Sequence, residues 1–174
     1  MSNVRFVVPQ MRLAKLLRTP GGLPVVDAVE AAEGNLRTLQ PTCAAELLAL
    51  LELCEQSFAA LPEARDDRGL ENIYAIAVRG IGGGKVSGLP AIDTALVSLC
   101  DLIDQLRTTG RYDRQAVGVH VNSWRLLQRG GLPDAAVAAV LDGLHKVKRR
   151  YADESSAADA GPTAVANRDG IVQP

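Results

Sequence analysis

Aromatic side chains are scarce in this chain, at 3 % of 174 residues, with a single Trp. β-Sandwiches and barrels lean on aromatic and β-branched residues, so the shortage argues against them. Cysteine is scarce too. Cys43, Cys54 and Cys100 are odd in number, far apart, and each lies in an apolar run. A disulfide scaffold and a Cys-x-x-Cys zinc site are thereby excluded, and reduced core thiols in a cytoplasmic protein are expected. There is no basic surplus either: the formal net charge is −1. Nucleic-acid binding lacks the field it needs. The one local basic cluster, Lys146, Lys148, Arg149 and Arg150, reads as the cationic end of a helix. No apolar run near the start is long enough for a signal peptide or a membrane span. No metal site or cofactor is expected.

What is present is a chain 47 % hydrophobic, mostly Leu, Ala and Val, spaced at three and four residues. Residues 1–10 read as an extended arm and 11–18 as one or two helical turns, with Leu13, Leu16 and Leu17 on one face and Arg12, Lys15 and Arg18 on the other. Thr19-Pro20-Gly21-Gly22 is a stop. A helix is predicted over 25–39, with Val26, Val29 and Leu36 on one side, and a second over 41–61, opened by Pro41. The third covers 68–84 and ends or frays in Gly82-Gly83-Gly84, unless those glycines serve close packing. The remaining helices fall at 89–108, 113–128 and 133–151. The expected fold is all-α, an antiparallel four-helix bundle with additional N-terminal helices and a disordered C-terminal tail. Its expected division is 1–24 arm and short helix, 25–151 bundle, 152–174 tail.

The glycines invite a phosphate-binding loop, but Lys85 is followed by Val86 and the segment follows a helix rather than a strand, so that reading is rejected. The stretch from Ala75 through Ile76, Val78, Arg79 and Gly80 to Gly88 and Ile92 resembles the acceptor segment of histidine phosphotransfer (Hpt) domains, over about residues 45–110. Those domains are four-helix bundles with Ala-His-x-Leu-Lys-Gly on the acceptor helix. Ile76 stands here where the resemblance places the phosphorylated histidine. An isoleucine has no nitrogen to accept a phosphoryl group, so relay from that position is excluded. The resemblance then implies a docking face for a response-regulator receiver or a histidine kinase, formed by Ile76, Arg79, Gly80, Gly83 and Lys85. Helical geometry sets Ile76 about 60° off the inner stripe and so partly exposed; packing beneath the N-terminal helices is the competing reading. The segments RLAKLLRTPGG, SLCDLIDQL and AVGVHVNSWRLL are also similar to alphaproteobacterial proteins labelled chemotaxis protein CheE, which points the same way.

His120, one step off the inner stripe Val117, Val121, Trp124, reads as a boundary histidine with a local hydrogen bond, and His145 as solvated. Asp101 and Gln105, four apart near Ser98 and Thr108, resemble the Asp-x-x-x-Gln of CheZ-type receiver phosphatases, in which Gln orients water and Asp pairs with a lysine of the receiver. A solvated polar face explains the same pair. Three functions follow as expectations: a non-catalytic signalling adaptor first, then a receiver phosphatase, then a structural module that forms homo-oligomers.

Overall fold

The computed structural model describes the backbone of residues 21–159 and the side chains of residues 21–151. The expected arm, the helix at 11–18 and residues 160–174 lie outside the described residues. Every regular element among the described residues is helical: α1 (Val25–Ala59), α2 (Asp67–Gly80), α3 (Gly83–Val86), α4 (Pro90–Thr109), α5 (Arg114–Gln128) and α6 (Asp134–Asp159). The chain divides into two compact units, 1–38 and 39–174.

Three boundaries differ from expectation. Pro41 does not open a helix but lies inside α1. Proline removes one N–H bond, here the one to the carbonyl of Arg37. Both Arg37 and Pro41 are exposed, so water can satisfy that carbonyl, and the Leu, Ala and Glu residues around it favour helix. The predicted third helix is two elements: α2 stops at Gly80 and α3 follows Gly82, whose φ is +94°. At that φ a side chain would be strained, so glycine makes the break possible. Finally, α6 continues to Asp159, past the expected end at 151.

Side-chain contacts give the direction of each helix. Between α1 and α2, Glu46 pairs with Arg79, while Gln56 and Ala60 share a groove with Asn72 and Arg68. Between α2 and α4, Glu71 approaches Arg107 and Gly80 lies on Leu96. Between α4 and α5, Ile92 and Leu127 line one cavity, and Ser98 meets His120. Between α5 and α1, Arg125 meets Glu55 and Gly118 lies on Phe58. In each pair one residue number rises as the other falls, so residues 39–59 of α1 with α2, α4 and α5 form an antiparallel four-helix ring. The fifth long helix, α6, packs on α4 and α5. It runs parallel to α4, because Thr94 lies near Leu141 and Asp101 near Lys148.

The core is Leu-rich and closes around α4, where Ile92, Leu96, Leu99, Leu102, Ile103 and Leu106 are all buried. Fully burying a side chain of this size contributes roughly 1.5–3 kcal/mol. The single Trp, Trp124, is also buried. Helix ends are fixed locally. The Asp66 carboxylate accepts from the N–H of Gly69 at 3.0 Å, and Asp113 accepts from Ala116 at 2.9 Å. Each is an N-cap satisfying one of the donors a helix start leaves free.

Candidate functional site

The α2 inner stripe, Leu70, Ile73, Ala77 and Gly80, is buried. Ile76 lies to one side of it and is half-buried, packed against the core. Arg79, on the same flank, is exposed and donates to Glu46 of α1 at 3.1 Å. The flank carrying Ile76 therefore borders α1, and the isoleucine shows only part of its side chain. Gly80 is buried, which corrects its expected place on a docking face. A Cβ there would lie 2.8 Å from Leu96 Cδ1, so the glycine serves close packing of α2 on α4. Gly83 is half-buried and packed on Leu47. Lys85 is exposed. Val78 and Ile81, which are not among the expected docking residues, are 45 % and 41 % exposed.

The glycine segment is organised by Asp93, in the first turn of α4. Its Oδ1 accepts from the N–H of Gly82 and of Gly84, both at 2.9 Å, and its Oδ2 from Lys85 at 2.8 Å. Converging backbone N–H groups of this kind form an anion nest. Here the anion is the chain's own carboxylate, which gives the physical reason why this segment is not a phosphate loop. Gly84 is required because a Cβ would meet Leu89 O and Asp93 Oδ1, each at 2.8 Å. Nothing in the local pattern marks Asp93 as the clamp; an acidic residue in a first helical turn is the only signal, and it is a common one.

A groove of about 350 Å3 runs between α4 and α6, lined by Asp93, Thr94, Val97, Ser98, Leu141, Leu144, His145 and Lys148. Beneath it, Ser98 Oγ lies 3.1 Å from Nε2 of His120, and His120 Nδ1 lies 3.0 Å from the carbonyl of Ala116. A carbonyl only accepts, so Nδ1 carries the proton and Ser98 donates to Nε2. Burial lowers the pKa of His120, and the charge of Lys148 adds to that effect. The expected local hydrogen bond is present, but the ring is buried rather than at a boundary. Its step off the Val117–Val121 stripe is covered by α4. His145 is exposed on the groove's rim.

Asp101 stays partly exposed, but its carboxylate is already paired, and the amide oxygen of Gln105 is turned inward. Lys148 Nζ donates to Asp101 Oδ2 at 2.8 Å, so the carboxylate already has a lysine from its own chain. The Oε1 of Gln105 is buried with no hydrogen-bond partner among the described residues. A water-orienting amide needs the opposite arrangement.

The two buried thiols are inert. Burial pushes Cys54 up to about 12, with Glu55 adding to it, and burial together with Asp104 pushes Cys100 up to about 11. Thiolate, the reactive form, is negligible for both near neutrality. At the far end of the bundle the Tyr151 hydroxyl donates to Asp113. Burial opposes ionisation of Asp113, but the bonds from Tyr151 and from the Ala116 and Gln115 backbone outweigh it and lower its pKa. Burial and the same bond raise Tyr151 to about 12. No group of three or more His, Cys, Asp or Glu residues stands at metal-binding distance among the described residues. Among those residues no helix is long and apolar enough to cross a membrane.

No protein-family model, curated protein or solved structure matches the chain.

Proposed function

We propose that this protein is a non-catalytic signalling adaptor: a helical bundle of phosphotransfer-like shape that docks a response-regulator receiver or a histidine kinase in chemotaxis-type, cytoplasmic signalling. The supporting observation is position 76. It lies on α2 of an antiparallel four-helix bundle, half-covered and bordered by the exposed Arg79, and it holds an isoleucine. A relay protein needs an imidazole there; an apolar side chain serves contact instead. Arg79 and Lys85 supply positive charge suited to the acidic pocket that surrounds a receiver's phosphorylated aspartate. Gly80 has no part in this contact, and Gly83 acts only by keeping the surface low beside Leu47. No cofactor enters the reading.

Titration of the protein against the receiver domains of its own organism, phosphorylated and unphosphorylated, tests it. Binding is expected to weaken at least about tenfold with Ile76→Asp and with Arg79→Glu. No radiolabelled phosphate should pass to the protein from a phosphorylated receiver. Absence of binding in both phosphorylation states ends the proposal.

A further inference from the structure

Ser98 and Ser123 are both helical serines, and they use their hydroxyls in opposite ways. Ser123 Oγ donates at 2.8 Å to the carbonyl of Val119, one turn back in its own helix, a common place for a helical hydroxyl. Ser98 Oγ crosses from α4 to α5 instead and donates to His120 Nε2 at 3.1 Å. The ring is held from behind, since Nδ1 donates to the carbonyl of Ala116 at 3.0 Å. That bond fixes the tautomer and leaves Nε2 without a proton. A hydroxyl resting on an imidazole nitrogen, with the imidazole oriented by a third group, is the arrangement that makes a serine nucleophilic. Burial lowers the pKa of the ring, so near neutral pH it is in the form that can take a proton.

The surroundings define what could react. Ser98 lines the groove between α4 and α6, whose apolar walls are Val97, Leu141 and Leu144. Its space of about 350 Å3 suits a small aliphatic group. Lys148 lines the groove as well and donates to Asp101, which lies three residues from Ser98 and so on the same side of α4. An ammonium has three N–H donors, so Lys148 can also turn one to an oxygen that gains charge beside Ser98. The backbone N–H groups around Ser98 are spent inside α4, which leaves no pair of them to form an oxyanion hole. An amide or an alkyl ester is therefore too unreactive, whereas a thioester has a good leaving group. For the same reason an alkyl ester formed on Ser98 persists.

We propose that Ser98 is an acyl-acceptor site, which takes a medium-length acyl chain from an acyl thioester, with His120 as the base and the α4–α6 groove housing the chain. The Ser98 oxygen bonds to the thioester carbonyl carbon, and its proton passes to His120 Nε2. The C–S bond then breaks, and the leaving thiolate takes that proton and departs as a thiol. The inference is independent of the receiver-docking proposal, which uses α2.

Incubating the full chain with the octanoyl thioester of N-acetylcysteamine, followed by intact-mass and peptide mass spectrometry, tests it. The expected result is one octanoyl group on Ser98. Ser98→Ala should abolish it, and His120→Gln should slow it at least about a hundredfold. His145→Gln, on the exposed rim, should leave the rate unchanged. Circular dichroism confirms that each variant stays helical. In the unaltered chain the rate should hold down to about pH 6.5 and fall beneath it, as His120 protonates; this readout stands even if His120→Gln does not fold.

No octanoyl group on Ser98, or octanoyl only on Cys43 or on lysines, overturns the proposal. Modification of Ser98 that is equally fast in His120→Gln, or that does not slow in acid, overturns the role of His120 and with it the pair.

Discussion

Helix α4 and the stretch 25–38 of α1 have similar sequences by pattern: Leu, Val and Ala at steps of three and four, with acidic residues between. Their surroundings differ completely. In α4, Ile92, Leu96, Leu102, Ile103 and Leu106 are 0 % exposed, while in 25–38 the large apolar residues are among the most exposed of those described. The α4 stripe widens past one face: Ala95, Leu99, Cys100 and Ser98 are buried as well, because α2, α5 and α6 all pack against it. Amphipathic spacing states which side of a helix seeks cover. It does not state whether the chain supplies the cover, and that difference separates an enclosed helix from an exposed one.

The contrast can be broken most sharply by truncating one leucine in each region. Leu99→Ala should destabilise the bundle by about 3 kcal/mol, since it leaves a cavity beneath a fully enclosed side chain. Leu36→Ala, at a half-exposed position, should change it by less than about 0.5 kcal/mol. Urea unfolding followed by the fluorescence of Trp124, the only tryptophan, reads both. Equal effects would show that residues 25–38 are buried after all.

A smaller effect is expected from pH. Burial holds the His120 pKa below its ordinary 6.5, so below that pH the unfolded chain takes up a proton that the folded chain refuses. Stability is therefore complete above about 6.5 and declines as pH falls beneath it, until the folded ring also protonates. The Ser98–His120 contact joins α4 to α5, whereas 25–38 contains no histidine. The urea midpoint should drop between pH 7.5 and 5.5; a flat profile would mean that His120 is not held neutral.

The smallest expected change is a gain. Gly34 lies inside α1, and a Cβ there meets nothing within 4 Å. Gly34→Ala should raise helix stability by up to about 1 kcal/mol, read as a higher thermal midpoint by circular dichroism. A loss instead would sharpen the comparison by revealing a close neighbour at that position.

Much of the fold was legible. The all-helical class, the ring of antiparallel helices and the starts of α4, α5 and α6 follow from periodicity, from Pro90 and Gly110, and from the Gly130-Gly131-Leu132-Pro133 turn. The candidate site was legible only in part. Ile76, Arg79 and Lys85 stand out through their resemblance to an acceptor segment, and the partial exposure of Ile76 follows from helical phase. The burial of Gly80 is not legible, because a glycine gives the same sequence signal whether it lowers a surface or admits a neighbour's methyl group. Asp93 went unread as the clamp of the glycine segment, and His120 and Ser98 as partners 22 residues apart, since no local pattern encodes such pairings.

The sequence by itself determined that this chain is helical, which face of each helix is apolar, and that residue 76 cannot carry phosphate, because periodicity and side-chain chemistry are local properties. Only the tertiary structure decided that α1 runs through Pro41, that Asp93 fills the glycine nest, that Lys148 occupies Asp101, and that one apolar stripe is enclosed while another stays open. Those outcomes depend on which surfaces meet in space, and separation along the chain carries no information about that.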